Sequence, residues 1–133
     1  MQKDFRSHSL FKEAVKLTSA WLRPETGEIS SIGQLTANLD GTKAIGAAAV
    51  CDVLEGTVPT RITMVDINTG AAEILTAGPG SDSMPKWSPC GGLIAYLSDR
   101  EQAHVNRLWI LDLESRAERA TPALDGFLEY FHW

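Results

Sequence analysis

Two stretches of this 133-residue chain read as one sequence written twice, and that repetition limits the fold more than any other feature. Arg61-Ile62-Thr63-Met64-Val65-Asp66 lies over Arg107-Leu108-Trp109-Ile110-Leu111-Asp112, 46 residues further on. Trp87 and Trp133 are also 46 residues apart, and Leu75-Thr76 falls near Ala120-Thr121 at 45. Upstream, Asp40-Gly41-Thr42-Lys43-Ala44-Ile45 matches Cys90-Gly91-Gly92-Leu93-Ile94 with one residue of slippage. The units consist of short apolar runs: Lys43 to Val53, Arg61 to Ile67, Ile74-Leu75, Leu93 to Leu97, Leu108 to Leu113 and Leu128 to Trp133. Turn residues separate them at Asp40-Gly41, Glu55-Gly56, Asn68-Thr69-Gly70, Gly78-Pro79-Gly80, Pro89-Cys90-Gly91-Gly92 and Asp125-Gly126.

Short strands with turns at this spacing imply a sandwich, a barrel or a propeller. The connections are too short for helical crossovers, which disfavours a parallel α/β sheet. A period near 46 residues with several strands per unit selects propeller blades. The expected fold is all-β: a partial β-propeller of about two blades plus the start of another, preceded by one N-terminal α-helix. In the clearer unit, Pro85 to Ser88 is the expected inner strand and Pro89 to Gly92 the turn. Leu93 to Ser98, Arg107 to Asp112 and Glu118 to Ala120 follow as second, third and outer strands, with a polar loop at Ser98 to Asn106. Trp87 and Trp109 are large enough to pack between blades, each contributing about 2–3 kcal/mol when buried. Trp133 stands where the next inner-strand motif begins. A propeller needs about four blades to hide its sheet faces, so the chain is expected to be a fragment of a larger ring with exposed apolar faces.

Only Ser9 to Leu22 carries a helical period. Leu10, Phe11, Ala14, Val15, Thr18, Trp21 and Leu22 form one stripe, Ser9 is the expected cap, and Pro24 ends the helix. Residues 1–24 are therefore read as a helical segment and 25–133 as an incomplete propeller domain. Lys12, Glu13 and Lys16 on the polar face do not make a basic strip, so no membrane partner is expected. The formal net charge of −5, with 12 Lys+Arg against 17 Asp+Glu, excludes a phosphate-binding surface and with it a nucleic-acid partner. Met1 to His8 is polar with no apolar run behind it, so a secretory signal is not expected and the location is read as cytoplasmic. Cys51 reads as a buried hydrophobe and Cys90 as a turn residue; the pair makes neither a disulfide framework nor a zinc site.

Met84-Pro85-Lys86-Trp87-Ser88-Pro89-Cys90-Gly91-Gly92-Leu93-Ile94-Ala95-Tyr96-Leu97-Ser98-Asp99-Arg100, followed by Leu108 to Leu113, resembles the propeller repeat with a W-S-P-D-G core. That repeat occurs in the N-terminal propellers of prolyl oligopeptidase family serine peptidases, especially the acylaminoacyl-peptidase branch, and in TolB-like periplasmic propellers. The motif positions here are Trp87, Ser88, Pro89, Gly91, Trp109, Asp112 and Trp133. Cys90 stands where the repeat usually has Asp. The earlier unit keeps Asp40-Gly41 but lacks the tryptophan.

The N-terminal helix, the run Ile94 to Arg100 and the lack of a signal peptide favour the peptidase branch. The resemblance implies a propeller that gates short peptides onto a C-terminal α/β-hydrolase domain of the same parent chain, which would carry the catalytic triad. The alternative it implies is a TolB-like interaction module without catalysis.

No catalytic, metal or cofactor site is expected within these residues. A hydrolase of that fold needs G-x-S-x-G, and no such string occurs. Gly80-Ser81-Asp82 reads as an inter-blade loop. His8 lies in the N-terminal tail, His104 in a polar loop, and His132 in an expected inner strand. Asp66-Ile67-Asn68-Thr69-Gly70 lacks the spacing of a calcium loop and reads as a hairpin turn. Gly78-Pro79-Gly80 lacks the Lys-Ser/Thr of a phosphate loop. Asp99, Arg100, Glu101 and Arg107 read as a solvated loop.

Overall fold

The computed structural model describes residues 5–22, 28–51 and 58–133. Pro24, the expected domain boundary, the Glu55-Gly56 turn and the end of the apolar run at Val53 lie outside the described residues. A 3₁₀ turn, Phe5–Ser7, leads into α1, Ser9–Leu22. The cap is His8 and not Ser9. The His8 carbonyl accepts the Lys12 N–H at 3.1 Å, and its Nδ1 accepts the Leu10 N–H at 3.3 Å. An imidazole nitrogen thus takes the acceptor role usually given to a hydroxyl or carboxylate. Leu10 and Phe11 are exposed, so the start of the apolar stripe is uncovered.

Eight strands follow: β1 Glu28–Ala37, β2 Lys43–Cys51, β3 Thr60–Asp66, β4 Ala72–Ile74, β5 Asp82–Trp87, β6 Leu93–Ser98, β7 Arg107–Asp112 and β8 Glu118–Ala120. They form two four-stranded sheets, β1-β2-β3-β4 and β5-β6-β7-β8, antiparallel throughout and in chain order. Two such meanders packed face to face are successive blades of a β-propeller. Period-2 alternation decides which residues meet. Ile45 of β2 and Ile62 of β3 face blade two. Ile94, Tyr96 and Leu111 of β6 and β7 face back, and all five are fully buried. Met64, Leu75, Trp87, Trp109 and Leu113 close the rim of this core. Each large side chain buried there contributes roughly 1.5–3 kcal/mol.

The structure extends and corrects the sequence reading in several places. β1 has no counterpart among the expected strands. Its sequence, with Ser30, Ser31, Gly33 and Gln34, shows no clean alternation because register shifts interrupt the pairing at Ile29/Ser31 and Gly33/Thr36. Close approach of β1 also explains Gly46. A Cβ there would lie 2.7 Å from the Gly33 carbonyl oxygen and 2.8 Å from Ile32 Cγ1. The inner strand of blade two begins at Asp82, three residues before the expected Pro85, because Asp82 and Ser83 pair with Ser98 and Leu97. Ser88 falls in the turn. Leu128 to Trp133 forms no strand. Strand geometry needs a ladder partner, and none of the described strands pairs with this segment.

The hydrogen-bond patterns of the two blades match one to one within each half. In the first half the offset is 50 residues. Asn38 N–H to Lys43 O (2.9 Å) matches Ser88 N–H to Leu93 O (2.9 Å), and Gly41 N–H to Asn38 O (3.1 Å) matches Gly91 N–H to Ser88 O (2.9 Å). In the second half the offset is 46. Asp66 N–H to Ala71 O (2.8 Å) matches Asp112 N–H to Ala117 O (2.9 Å). Leu75 matches Thr121 rather than Ala120, since Leu75 N–H to Ile62 O answers Thr121 N–H to Leu108 O. The change of offset sits in one hairpin. Twelve residues separate the paired Ala48 and Arg61, against eight between Ser98 and Arg107.

Candidate functional site

The polar residues that the fold gathers lie along the seam between the blades. The connector from β4 to β5 runs through Gly78, Pro79, Gly80 and Ser81, and both blades grip it. From blade one, the buried Arg61 donates through Nη1 to the carbonyls of Thr60 (3.0 Å) and Gly80 (2.7 Å), and through Nη2 to that of Gly78. From blade two, Asp99 Oδ1 accepts the Ser81 N–H at 2.6 Å while Oδ2 accepts the His104 N–H at 3.0 Å. Burial works against the charge on Asp99, but these amides outweigh it and hold the carboxyl below its ordinary range.

Arg100 is the hub. Its Nη2 reaches Asp82 Oδ1 at 3.2 Å and Tyr96 Oη at 3.0 Å, Nη1 pairs with Glu118 Oε2, and Nε donates to Ser98 Oγ at 3.1 Å. The guanidinium also lies over the Trp109 ring, 4.5 Å from its centroid. The Asp82 side chain is 1% exposed and receives a further hydrogen bond from Thr76 Oγ1 at 2.5 Å. That hydroxyl in turn accepts the Ile62 N–H at 2.9 Å. This corrects the reading of Asp99 and Arg100 as solvated loop residues: the chain turns back after β6 and folds Arg100 onto the sheet face it has just left. Arg107 and Glu101 do pair at the surface. Burial raises the Tyr96 phenol well above its usual value, helped by the nearby Glu118 and Asp82 carboxylates and opposed by Arg100. Burial opposes the Arg100 charge, but Asp82, Tyr96 and Glu118 raise its pKa in net.

The motif tryptophans take different places. Trp87 ends β5 and donates its indole N–H to the Thr36 carbonyl of β1 at 3.0 Å. Trp109 lies in β7 with its Nε1 buried and without an acceptor among the described residues. Trp133 donates to the Lys86 carbonyl at 3.3 Å. Ser88 Oγ accepts the Leu93 N–H at 3.0 Å and contacts Cys90 Sγ at 3.2 Å, fixing the turn through Pro89 and Gly91. Asp112 Oδ1 accepts the N–H groups of Glu114 (3.0 Å) and Ser115 (2.9 Å). A cleft of about 560 Å³ opens beside Thr36, Asn38, Trp87, Pro89, His132 and Trp133. A second, of about 350 Å³, lies between Val105, Arg107, Leu108, Leu124 and Leu128.

Arg61 and Asp99 clamp backbone, while Arg100 ties side chains of blade two together. Among the described residues no serine or cysteine contacts a histidine ring. His8 caps α1, the ring of His132 meets Tyr130, and His104 is held by its backbone. Among the same residues no group of His, Cys, Asp and Glu has the geometry to hold a metal ion, and no helix is long and apolar enough to cross a membrane.

No family model and no curated protein matches the chain. Among solved structures it is similar to a protein of Agrobacterium tumefaciens assigned as a TolB, with 16% identity and a TM-score of 0.44. The match covers 73% of this chain and 48% of that one, so the chain spans about half the length of that structure.

Proposed function

We propose that these two blades are the non-catalytic propeller portion of a serine peptidase of the prolyl oligopeptidase type, nearest the acylaminoacyl-peptidase branch. In this reading they gate short peptides onto a C-terminal α/β-hydrolase domain of the same cytoplasmic parent. The observation that carries the reading is the seam. Arg61 and Asp99 are spent on backbone carbonyls and amides, and Arg100 and Asp82 on each other, as in a scaffold, while the Trp87-Ser88-Pro89 turn resembles the repeat found in peptidase propellers and TolB-like propellers alike. In that reading the gating role would come from position: a ring of blades over a hydrolase domain admits only what passes its channel.

The test uses the product of the complete gene. It is expected to hydrolyse acyl-peptide or aminoacyl nitroanilides and to lose that activity to a serine-reactive phosphonate, whereas the present chain alone is expected to be inactive. A complete product without hydrolase activity that instead retains a protein partner on affinity capture would replace this reading with that of a TolB-like interaction module.

A further inference from the structure

Aspartate precedes glycine twice in this chain, at Asp40-Gly41 and at Asp125-Gly126, and asparagine never does. The step has its own chemistry. A glycine nitrogen has no side chain beside it, so it can reach the carboxyl carbon of the preceding aspartate wherever the turn leaves both groups free. The structure treats the two steps in opposite ways. At the first, both groups are engaged. Asp40 Oδ1 accepts the Thr42 N–H at 2.8 Å and the Thr42 hydroxyl at 2.5 Å, and the Gly41 N–H donates to the Asn38 carbonyl at 3.1 Å. The Thr42 hydroxyl, and then its amide, hold the Asp40 carboxyl below its ordinary range, so it stays in the carboxylate form that resists attack by nitrogen. At the second, neither group is engaged. Asp125 and Gly126 form an exposed bend outside the strands, and no hydrogen bond from the described residues holds either one. Gly126 has φ 145° and open space around it, and its neighbours Leu124 and Phe127 are exposed.

We propose that Asp125-Gly126 is a modification site at which aspartate isomerises to isoaspartate. The Gly126 nitrogen attacks Asp125 Cγ. The N–Cγ bond forms, the amide proton and the carboxyl hydroxyl leave as water, and a cyclic succinimide results. Water then returns at one of the two ring carbonyls. Opening at Cγ restores aspartate. Opening at the α-carbonyl carries the main chain through Cβ and Cγ and frees the α-carboxylate. One water leaves and one returns, so no oxidant, reductant or cofactor is needed. The product lengthens the main chain between Leu124 and Gly126, which both line the cleft of about 350 Å³ beside Arg107. Its free α-carboxylate is the acceptor that an isoaspartyl carboxyl methyltransferase esterifies from S-adenosylmethionine. The inference is independent of the peptidase reading.

The experiment ages the folded chain at neutral pH. Peptide mass spectrometry with electron-transfer fragmentation, which separates isoaspartate from aspartate at equal mass, follows residues 40 and 125. Methyl transfer from labelled S-adenosylmethionine by an isoaspartyl methyltransferase gives a second readout. Residue 125 is expected to isomerise about tenfold or more faster than residue 40, which reacts only after its hydrogen bonds open. In urea, where both turns are released, the two rates are expected to converge. Asp125→Glu, whose longer side chain disfavours the ring, is expected to remove the methyl acceptor and leave the urea midpoint unchanged. Thr42→Val, which removes the hydroxyl from Asp40, is expected to raise the rate at residue 40 towards that at residue 125. Equal rates at the two sites in the folded chain would overturn the proposal, and so would a residue 125 that isomerises in urea but not in the folded chain. If Thr42→Val does not fold, the comparison of the two sites in the parent chain decides.

Discussion

The indole of Trp87 is hydrogen-bonded across the seam to the backbone of Thr36, 51 residues earlier, at 3.0 Å. One N–H thereby ties the last residue of the inner strand of blade two to the inner strand of blade one, while the ring joins the buried core. A parallel bond links Gln34 Oε1 to the Met84 N–H at 2.6 Å. Both residues are non-glycines with positive φ, 54° and 51°, at equivalent places in the bulged inner strands. Trp87→Phe keeps most of the ring and removes the donor. It is expected to destabilise the chain by about 1 kcal/mol, seen as a lower urea midpoint at constant m. Trp133→Phe, at a half-exposed site, is expected to cost less than about 0.5 kcal/mol. Equal effects would show that the two indoles do not differ in burial as described.

Arg100 and Asp82 are expected to behave as a unit. Arg100→Met leaves the fully buried Asp82 carboxylate with Thr76 alone, and removing one partner of a buried pair costs about 3–5 kcal/mol. The blade-one equivalent of Asp82 by register, 50 residues earlier, is the apolar Ile32. The double variant Arg100→Met/Asp82→Leu is therefore expected to recover most of the loss. A double-mutant cycle in chemical denaturation measures the coupling, expected at about 2 kcal/mol or more. Additive effects would mean that the pair contributes no more than two independent surface charges.

Gly80 and Gly91 make an internal comparison. Both have positive φ, 74° and 75°. A Cβ on Gly91 meets nothing within 4 Å, whereas on Gly80 it would collide with Asp99 Oδ1 and lie 3.0 Å from Arg100 N and Cα. Gly91→Ala is expected to cost about 1 kcal/mol, from backbone conformation alone. Gly80→Ala is expected to cost at least about 2 kcal/mol, because the connector must also release the Asp99 clamp. Thermal unfolding of the two variants side by side checks the order.

The strands that the sequence made legible are those of the clearer repeat, where turn residues bound each short run. β6, β7 and β8 lie at Leu93–Ser98, Arg107–Asp112 and Glu118–Ala120, the ranges expected from apolar runs and turn residues. β1 was hidden because bulges break its alternation, so that its pairing is a matter of backbone and not of pattern. Leu128–Trp133 misled in the opposite way: its composition is that of a strand, but composition supplies no ladder partner. The seam cluster was the least legible. Asp99-Arg100 beside Glu101 reads as a charged loop, and only the backward fold after β6 turns Arg100 onto Asp82 and Tyr96. A signal was present for Asp82, since its register equivalent in blade one is the apolar Ile32.

Acid is expected to loosen both outer hairpins. Asp66 and Asp112 occupy equivalent turns. Backbone hydrogen bonds from Thr69 and Ser115, respectively, hold their carboxyls below the ordinary carboxylate value of 3.8. A carboxyl whose folded pKa is depressed contributes stability that is fully present above the unfolded value and is lost as pH falls through the folded one. The urea midpoint is therefore expected to fall as pH drops from about 5 towards 3. Asp112→Asn, which keeps an acceptor but cannot titrate, is expected to make that dependence shallower. A slope unchanged by this substitution would place the acid sensitivity elsewhere.

Cys90 is the place where one substitution tests the turn itself. Its equivalent in blade one, Asp40, accepts the Thr42 N–H at 2.8 Å and the Thr42 hydroxyl at 2.5 Å, and the Thr42 side-chain bond leads in lowering its pKa. Gly92 stands at the Thr42 position, so its N–H is offered to residue 90 in the same way. Cys90 meets that geometry with a weak acceptor, a thiol whose pKa is lowered chiefly by contact with Ser88. Cys90→Asp is expected to stabilise the chain, because a carboxylate accepts the turn amide far better than sulfur does. The measurement is the urea midpoint of the variant at pH 7, with Asp40→Cys as the reciprocal change; the first is expected to rise and the second to fall. Iodoacetamide offers a check on the parent, in which exposed Cys90 is expected to react well ahead of Cys51, only 2% exposed. A lower midpoint for Cys90→Asp would show that the blade-two turn has settled into a geometry of its own, one that its thiol fits and a carboxylate does not.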